Sequence, residues 1–193
     1  MRIILASSSP RRRQLMAQAD ISCEIIVSDV DESNIDGPAP KQVEQLALRK
    51  AAAVRDNIEA EAIIIAADTL VSIDGQVLSK PADEAEAFAM LKALQGRKHT
   101  VYTGVAIIKT GGKDDVICSF VDAADVYFRP LSSDEIKGYI ATGEPFDKAG
   151  AYGIQGRGAV LVSRIEGDFY TVMGLPMSRL CVEIANIGVN IWQ

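Results

Sequence analysis

Ala62-Ile63-Ile64-Ile65-Ala66-Ala67 is six consecutive apolar residues, three of them isoleucine. So short and continuous an apolar run reads as a strand buried on both faces, which calls for a sheet covered on both sides. Residues 1–5 repeat the pattern, an Ile-rich stretch read as a second buried strand. That stretch breaks into Ala6-Ser7-Ser8-Ser9-Pro10 and then Arg11-Arg12-Arg13. Proline suits the first position of a helix, where its missing N–H costs nothing, and Ser9 before it is a natural N-cap. Leu15, Met16 and Ile21 then fit a helix of about two and a half turns.

The remaining pattern mixes βα units with hairpins. Residues 23–27 read as a short strand, 28–40 as a polar loop and 41–58 as a helix, with Val43, Leu46, Leu48, Ala51 and Val54 near helical period. Residues 70–78 alternate around Asp74-Gly75, a strong two-residue hairpin signal. Asp83 is placed to cap a helix that runs to about Leu94 and ends at Gly96. Long strands are expected over 100–108 and 116–128, joined through Thr110-Gly111-Gly112. A helix is expected over 133–141, a strand over 159–165 and a closing helix over 177–186. The combination predicts an α/β fold with a mixed β-sheet flanked by helices. The length, 193 residues, suits one well-buried domain, 1–193.

Composition narrows the function. A net charge of −6 argues against broad binding to nucleic acid or membrane surfaces. The apolar runs are far too short to span a bilayer. Met1-Arg2 and the residues after it do not form a signal peptide, so the expected location is cytoplasmic. Cys23, Cys118 and Cys181 lack metal or redox spacing and read as free thiols. His99 is the single histidine, which excludes a His-rich metal site. No Gly-x-Ser-x-Gly elbow, Walker A or Gly-x-Gly-x-x-Gly stretch occurs.

Five segments put charge or glycine where folding does not require them. Arg11 and Arg12 stand at a helix N-terminus, where cations oppose the macrodipole by some tenths of a kcal/mol. A bound anion, above all phosphate, reverses that sign, and the free N–H groups and Ser hydroxyls of the same turn would bind it too. Glu32 lies in an acidic loop, Asp29-Val30-Asp31-Glu32, which is either solvated or a place for Mg²⁺ or Mn²⁺ with retained waters. Asp68 follows the buried apolar run and is read as sitting at the strand's C-terminal end, where α/β sheets place ligand-contacting groups. With Thr69 it either serves a turn or acts as a metal ligand or general base. Lys50 and Lys80 suit phosphate as point charges, or are ordinary surface lysines. Residues 143–156, Gly-Glu-Pro-Phe-Asp-Lys-Ala-Gly-Ala-Tyr-Gly-Ile-Gln-Gly, read either as a plain structural loop or, as length, aromatic content and a buried-looking Asp147-Lys148 pair favour, as a functional one.

These motifs occur in the order in which they resemble the Maf family of nucleoside triphosphate pyrophosphatases, also described as septum-formation inhibitors. The likeness runs from Leu5-Ala6-Ser7-Ser8-Ser9-Pro10-Arg11-Arg12 through Asp31-Glu32, Ala67-Asp68-Thr69, Lys80-Pro81 and Tyr102-Thr103-Gly104. It continues through residues 147–156 and closes with Gly167-Asp168 and Gly174-Leu175-Pro176. The resemblance implies a fold related to the inosine triphosphate pyrophosphatases, with two lobes around a cleft. It implies cleavage of a nucleoside triphosphate to the monophosphate and pyrophosphate with a divalent metal, Mg, Mn or Co, and leaves room for a homodimer. Asp68 matches the family's proton acceptor. Arg11, Thr69 and Gln155 match the positions that separate subfamilies and are similar to the branch cleaving dTTP and UTP.

In that frame Ser7, Arg11, Arg12, Lys50, Thr69, Lys80 and Gln155 bind substrate. Glu32 and Asp68 hold metal, and Gln155 offers a donor and an acceptor to a uracil or thymine edge. Two other readings stand beside it: a nucleotide-binding regulator of septum formation that turns nothing over, and a phosphatase that removes only the terminal phosphate.

Overall fold

The computed structural model describes residues 1–32 and 35–191. Strand β1 (Arg2–Leu5) leads to helix α1 (Pro10–Gln18). Ser9 holds the N-cap position with extended backbone, but its side chain makes no capping bond. The hydroxyl used here belongs to Ser7, whose Oγ accepts from Ser9 N at 3.2 Å. Strand β2 (Glu24–Ile25) is shorter than expected. Helix α2 (Ala39–Arg55) starts earlier than expected, with Pro38 at the N-cap and Pro40 in the first turn, where proline lacks nothing a helix uses. The loop anticipated over 28–40 therefore stops at Pro38, and its Ser33 and Asn34 lie outside the described residues.

Strand β3 (Ala62–Ile73) corrects one expectation outright. It does not end at Ala67 but runs 12 residues, so Asp68 lies mid-strand. The continuation is held by strand β4 (Gln76–Leu78), antiparallel to it in the register Val71↔Leu78 and Ile73↔Gln76. Asp74 and Gly75 between them both have positive φ, 52° and 78°, as a type I′ hairpin requires. Helix α3 (Glu84–Leu94) is capped by Asp83, whose carboxylate accepts from Glu86 N at 2.8 Å.

Strands β5 (Lys98–Lys109) and β6 (Val116–Phe128) follow, then helix α4 (Ser133–Ile140), opened by a capping box between Ser132 and Glu135. Residues 143–156 are not a plain loop: 3-10 turns form at Glu144–Asp147 and Ala149–Ala151. A further turn, Gly156–Leu161, displaces the start of strand β7 to Val162–Glu166. Helix α5 (Phe169–Met173), with Asp168 Oδ1 accepting from Tyr170 N, was not foreseen; helix α6 (Met177–Asn186) falls where the sequence put it.

Among the described residues seven strands form one sheet in the order β2-β1-β3-β5-β6-β7, with β4 paired to β3. β1 runs parallel to β2 and β3, whereas β3–β4 and β6–β7 are antiparallel, so the sheet is mixed as expected. Contacts divide the chain into two compact units. The first comprises Met1–Asp68, Thr103–Asp122 and the stretch from Gly174; the second comprises Thr69–Tyr102 and Ala123–Met173.

In the first unit Ile4, Ala62, Ile64, Ala66, Ala106 and Ile108 pack with Ala47, Ala51 and Val54 of α2. The small residues let the helix lie close. A Cβ at Gly104 would stand 2.4 Å from the Val43 carbonyl carbon and oxygen, so only glycine admits this approach. The second unit has its own core, with Val71, Leu91, Leu94, Val126, Phe128, Ile136 and Tyr152 among its members. No helix among the described residues is long and apolar enough to cross a membrane.

Candidate active site

Strand and helix periodicity together place the charged centre of the first unit. Side chains of a strand alternate between faces, and Ala62, Ile64 and Ala66 of β3 all pack with α2. Asp68 is the next residue in that series. On α2, Lys50 lies among Ala47, Ala51 and Val54, the residues that meet the sheet. The ammonium and the carboxylate are thus directed at one another, and Lys50 Nζ donates to Asp68 Oδ1 at 2.7 Å. Both side chains are close to fully buried, at 11% and 12% exposure, while Glu32 Oε1, 56% exposed, reaches the same Nζ at 2.7 Å. Two carboxylates therefore converge on one positive centre.

The turn after β1 delivers the second part. Arg12 Nε donates to the Gly174 carbonyl at 2.7 Å and Nη1 to Ser7 Oγ at 3.1 Å. Ser7 is buried and Arg12 half-buried. Desolvation lowers the Arg12 pKa from its ordinary value; attraction to Asp68 and Glu32 works against that, and repulsion from Arg11 adds to it. Ser7, Arg11 and Arg12 from one turn, with Glu32, Lys50 and Asp68 from three distant segments, thus share one electrostatic neighbourhood. Two guanidinium groups that repel, a helix N-terminus and a buried hydroxyl are the kinds of group that can bind a polyanion. The convergent carboxylates fit a hard divalent cation that keeps several waters. Among the described residues no group of three or more His, Cys, Asp or Glu side chains forms a closed cage for a metal.

Thr69, Lys80 and Gln155 belong to the second unit. Thr69 is half-buried on β3 and Lys80 is exposed. Lys80 follows Ser79, whose carbonyl accepts from Gly150 N at 3.1 Å and so ties this segment to the glycine-rich one. Gln155 is half-buried with extended backbone between two 3-10 turns. The Asp147-Lys148 pair is not buried as expected. The two side chains bond, but Asp147 is 64% exposed, and only Lys148 turns inward to donate to the Glu144 carbonyl at 2.7 Å. Asp147 closes the 3-10 turn Glu144–Asp147, and the backbone turns extended only at Lys148, so the two side chains leave the chain in different directions.

Sequence reasoning missed the Gly174 carbonyl as the anchor of Arg12, although Gly174-Leu175-Pro176 was one of the motifs noted.

A family model for Maf-like proteins matches residues 2–187. The chain belongs to the Maf family. Relatives of this Maf protein named dTTP/UTP pyrophosphatase include one from Geobacillus sp. (strain WCH70), 49% identical over 187 residues, covering 96% of this chain and 98% of the relative. Another, from Clostridium novyi (strain NT), is 46% identical over 193 residues, with 99% and 100% covered. Among solved structures, the Staphylococcus aureus Ham1 protein superimposes with a TM-score of 0.51 at 13% identity, over 97% of each chain. A HAM1 protein from Coxiella burnetii gives 0.53 at 15% identity, over 96% of this chain and 99% of the other. The Maf chain therefore has a Ham1-like fold, the relationship its motifs implied.

Proposed function

We propose that this Maf protein is a nucleoside triphosphate pyrophosphatase that cleaves dTTP and UTP between the α- and β-phosphates. The observation that carries the reading is the buried Asp68 carboxylate, paired with the Lys50 ammonium that also holds Glu32, in the electrostatic neighbourhood of Arg12 and Ser7. The names of relatives nearly half identical in sequence over almost the whole chain point the same way.

Arg11, Arg12 and Ser7 bind phosphate oxygens, with Lys80 adding a point charge. Asp68 orients the attacking water and takes its proton. Glu32 and Asp68 are the residues that would hold a divalent cation, which would supply charge neutralisation at the departing pyrophosphate. Lys50 keeps the two carboxylates at one place and gives the buried Asp68 an ion-pair partner. Gln155 reads the O–N–O edge of a uracil or thymine, and the Thr69 methyl packs beside the base. In this reading residues 1–193 work as one catalytic domain on the cytoplasmic nucleotide pool, with the homodimer as the assembly to be checked by light scattering.

The test is a panel of dTTP, UTP, CTP and GTP with Mg²⁺, Mn²⁺ or Co²⁺, assayed for pyrophosphate and orthophosphate. Pyrophosphate from dTTP and UTP, lost on chelation and reduced about 10²-fold or more in a folded Asp68→Asn variant, is the expected result. Orthophosphate alone identifies a terminal phosphatase. Binding without either product identifies a regulator.

A further inference from the structure

Residues 153–158 carry Gln155 on a short excursion whose ends are pinned together. A Cβ on Gly158 would stand 2.2 Å from the Gly153 carbonyl oxygen and 2.8 Å from Tyr139 Oη, so only glycine fits where the two ends meet. Tyr139, from α4, enters this base. Gly153 N donates to its oxygen at 3.1 Å, and its hydroxyl donates to Glu144 Oε1 at 2.9 Å. The same Oε1 accepts from Gly158 N and Oε2 accepts from Arg157 N, both at 3.0 Å. One phenol therefore secures the entry of the loop and one carboxylate its exit. Gly156 has φ +66°, and a Cβ there would come within 2.8 Å of Glu144 Oε2, so the carboxylate lies against the residue that follows Gln155.

Glu144 is itself fixed in place. Its N–H donates to Thr142 Oγ1 at 3.2 Å, and its carbonyl accepts from Lys148 Nζ at 2.7 Å. Desolvation pushes the Glu144 carboxyl up, but the N–H groups of Arg157 and Gly158, the Tyr139 hydroxyl and the Lys148 charge outweigh it, leaving the group below the usual range. Burial raises the Tyr139 phenol, so its proton stays in place to be donated. This carboxylate accepts two main-chain N–H bonds and a hydroxyl within one short loop, and the chemistry proposed above has no use for it.

We propose that Glu144 and Tyr139 are positioning residues that set the pose of Gln155 and thereby the preference for pyrimidine nucleotides. The proposal rests on Gln155 being the group that reads the base. Neither residue touches the nucleotide; each acts by removing freedom from the loop that does. Losing either should therefore weaken discrimination between bases more than it slows the chemical step.

The experiment measures kcat and KM for UTP and GTP in wild type, Gln155→Ala, Glu144→Gln and Tyr139→Phe, and in each of the last two combined with Gln155→Ala. Circular dichroism and Tm establish folding. Glu144→Gln replaces one accepting oxygen by a donor that faces an N–H group. It is expected to raise KM for UTP about tenfold, the worth of one buried hydrogen bond, and to change kcat less than about threefold. In the Gln155→Ala background the same change should alter the UTP/GTP ratio less than about twofold, because the group it positions is gone.

If Gln155→Ala leaves the UTP/GTP ratio untouched, Gln155 does not read the base and both ideas fall. If Gln155→Ala lowers the ratio while Glu144→Gln and Tyr139→Phe leave it alone, or keep their full effect without Gln155, only the positioning role is overturned. Should Glu144→Gln unfold, Tyr139→Phe, which removes a single oxygen, decides the question by itself.

Discussion

Replacing Lys50 by Met tests the charged centre as a stability element, separately from any catalysis. The Lys50 ammonium bonds Asp68 and Glu32 at 2.7 Å each, but the two arms are unequal. Asp68 is 12% exposed, so removing its partner leaves a buried carboxylate unpaired, a loss of about 3 kcal/mol or more. Glu32 is 56% exposed and contributes ~0–1 kcal/mol through its own arm. The Lys50→Met variant should therefore lose about 3 kcal/mol, which for a chain this long is a fall in Tm of roughly 6–12 °C. Asp68→Asn should cost less, about 1–2 kcal/mol, because the amide oxygen still accepts from Lys50 and Glu32 still pairs with it. Combining the two removes the unpaired charge, so the double variant should be more stable than the sum of the single losses by at least about 1 kcal/mol. Urea unfolding of all four proteins at pH 7 supplies the cycle. A coupling energy below about 0.5 kcal/mol would show that Lys50 and Asp68 do not form a buried pair, and that β3 and α2 do not direct the two side chains at one another.

Three further outcomes follow from single positions. His99 is buried, bonded through Nε2 to Tyr152 Oη at 2.7 Å, and its Nδ1 has no partner among the described residues. Desolvation lowers its pKa to about 4, with Asp125 opposing; its stabilising effect is present above about pH 6.5 and is lost as pH falls toward 4, about 3 kcal/mol in all. His99→Gln should flatten the Tm-versus-pH curve in that window, and an unchanged curve refutes the assignment. Gly104→Ala should destabilise by at least ~2 kcal/mol in urea, since its methyl would meet the Val43 backbone at 2.4 Å; a loss under ~0.5 kcal/mol would mean that α2 does not lie so close. Arg12→Lys keeps the charge but cannot bond Gly174 and Ser7 together, so kcat/KM should drop about tenfold by a similar factor for dTTP, UTP and CTP. A change in the order of the three substrates would assign Arg12 to selectivity instead.

The parts of the fold legible in the sequence are those governed by local rules. The Asp74-Gly75 turn, the Asp83 cap, the strands over 100–108 and 116–128 and helix α6 depend on residues within a few positions of each other, and they appear where expected. The misplacements share a physical cause, pairing with something distant in sequence. From the sequence alone Asp68 reads as a strand end, because the apolar run stops at Ala67. The strand continues because β4 supplies an antiparallel partner to residues 71–73, and backbone pairing does not require apolar side chains. The same holds for the charged centre. Lys50 on its helix and Asp68 on its strand each have an ordinary local explanation, and only the packing of α2 on β3 brings the two together.

Glu144 shows the limit most clearly. Its sequence neighbourhood marks a turn, and a glutamate in a turn is usually solvated. What distinguishes it is the set of donors it receives from Tyr139, Arg157 and Gly158, as far as 14 positions away, all satisfied by one carboxylate. Gly156 reads in the sequence as permitting close approach and Gly158 carries no such mark, and in either case a glycine does not say what approaches it. A sequence can thus announce that a loop is constrained, while the identity of the constraining group is a property of the folded chain alone.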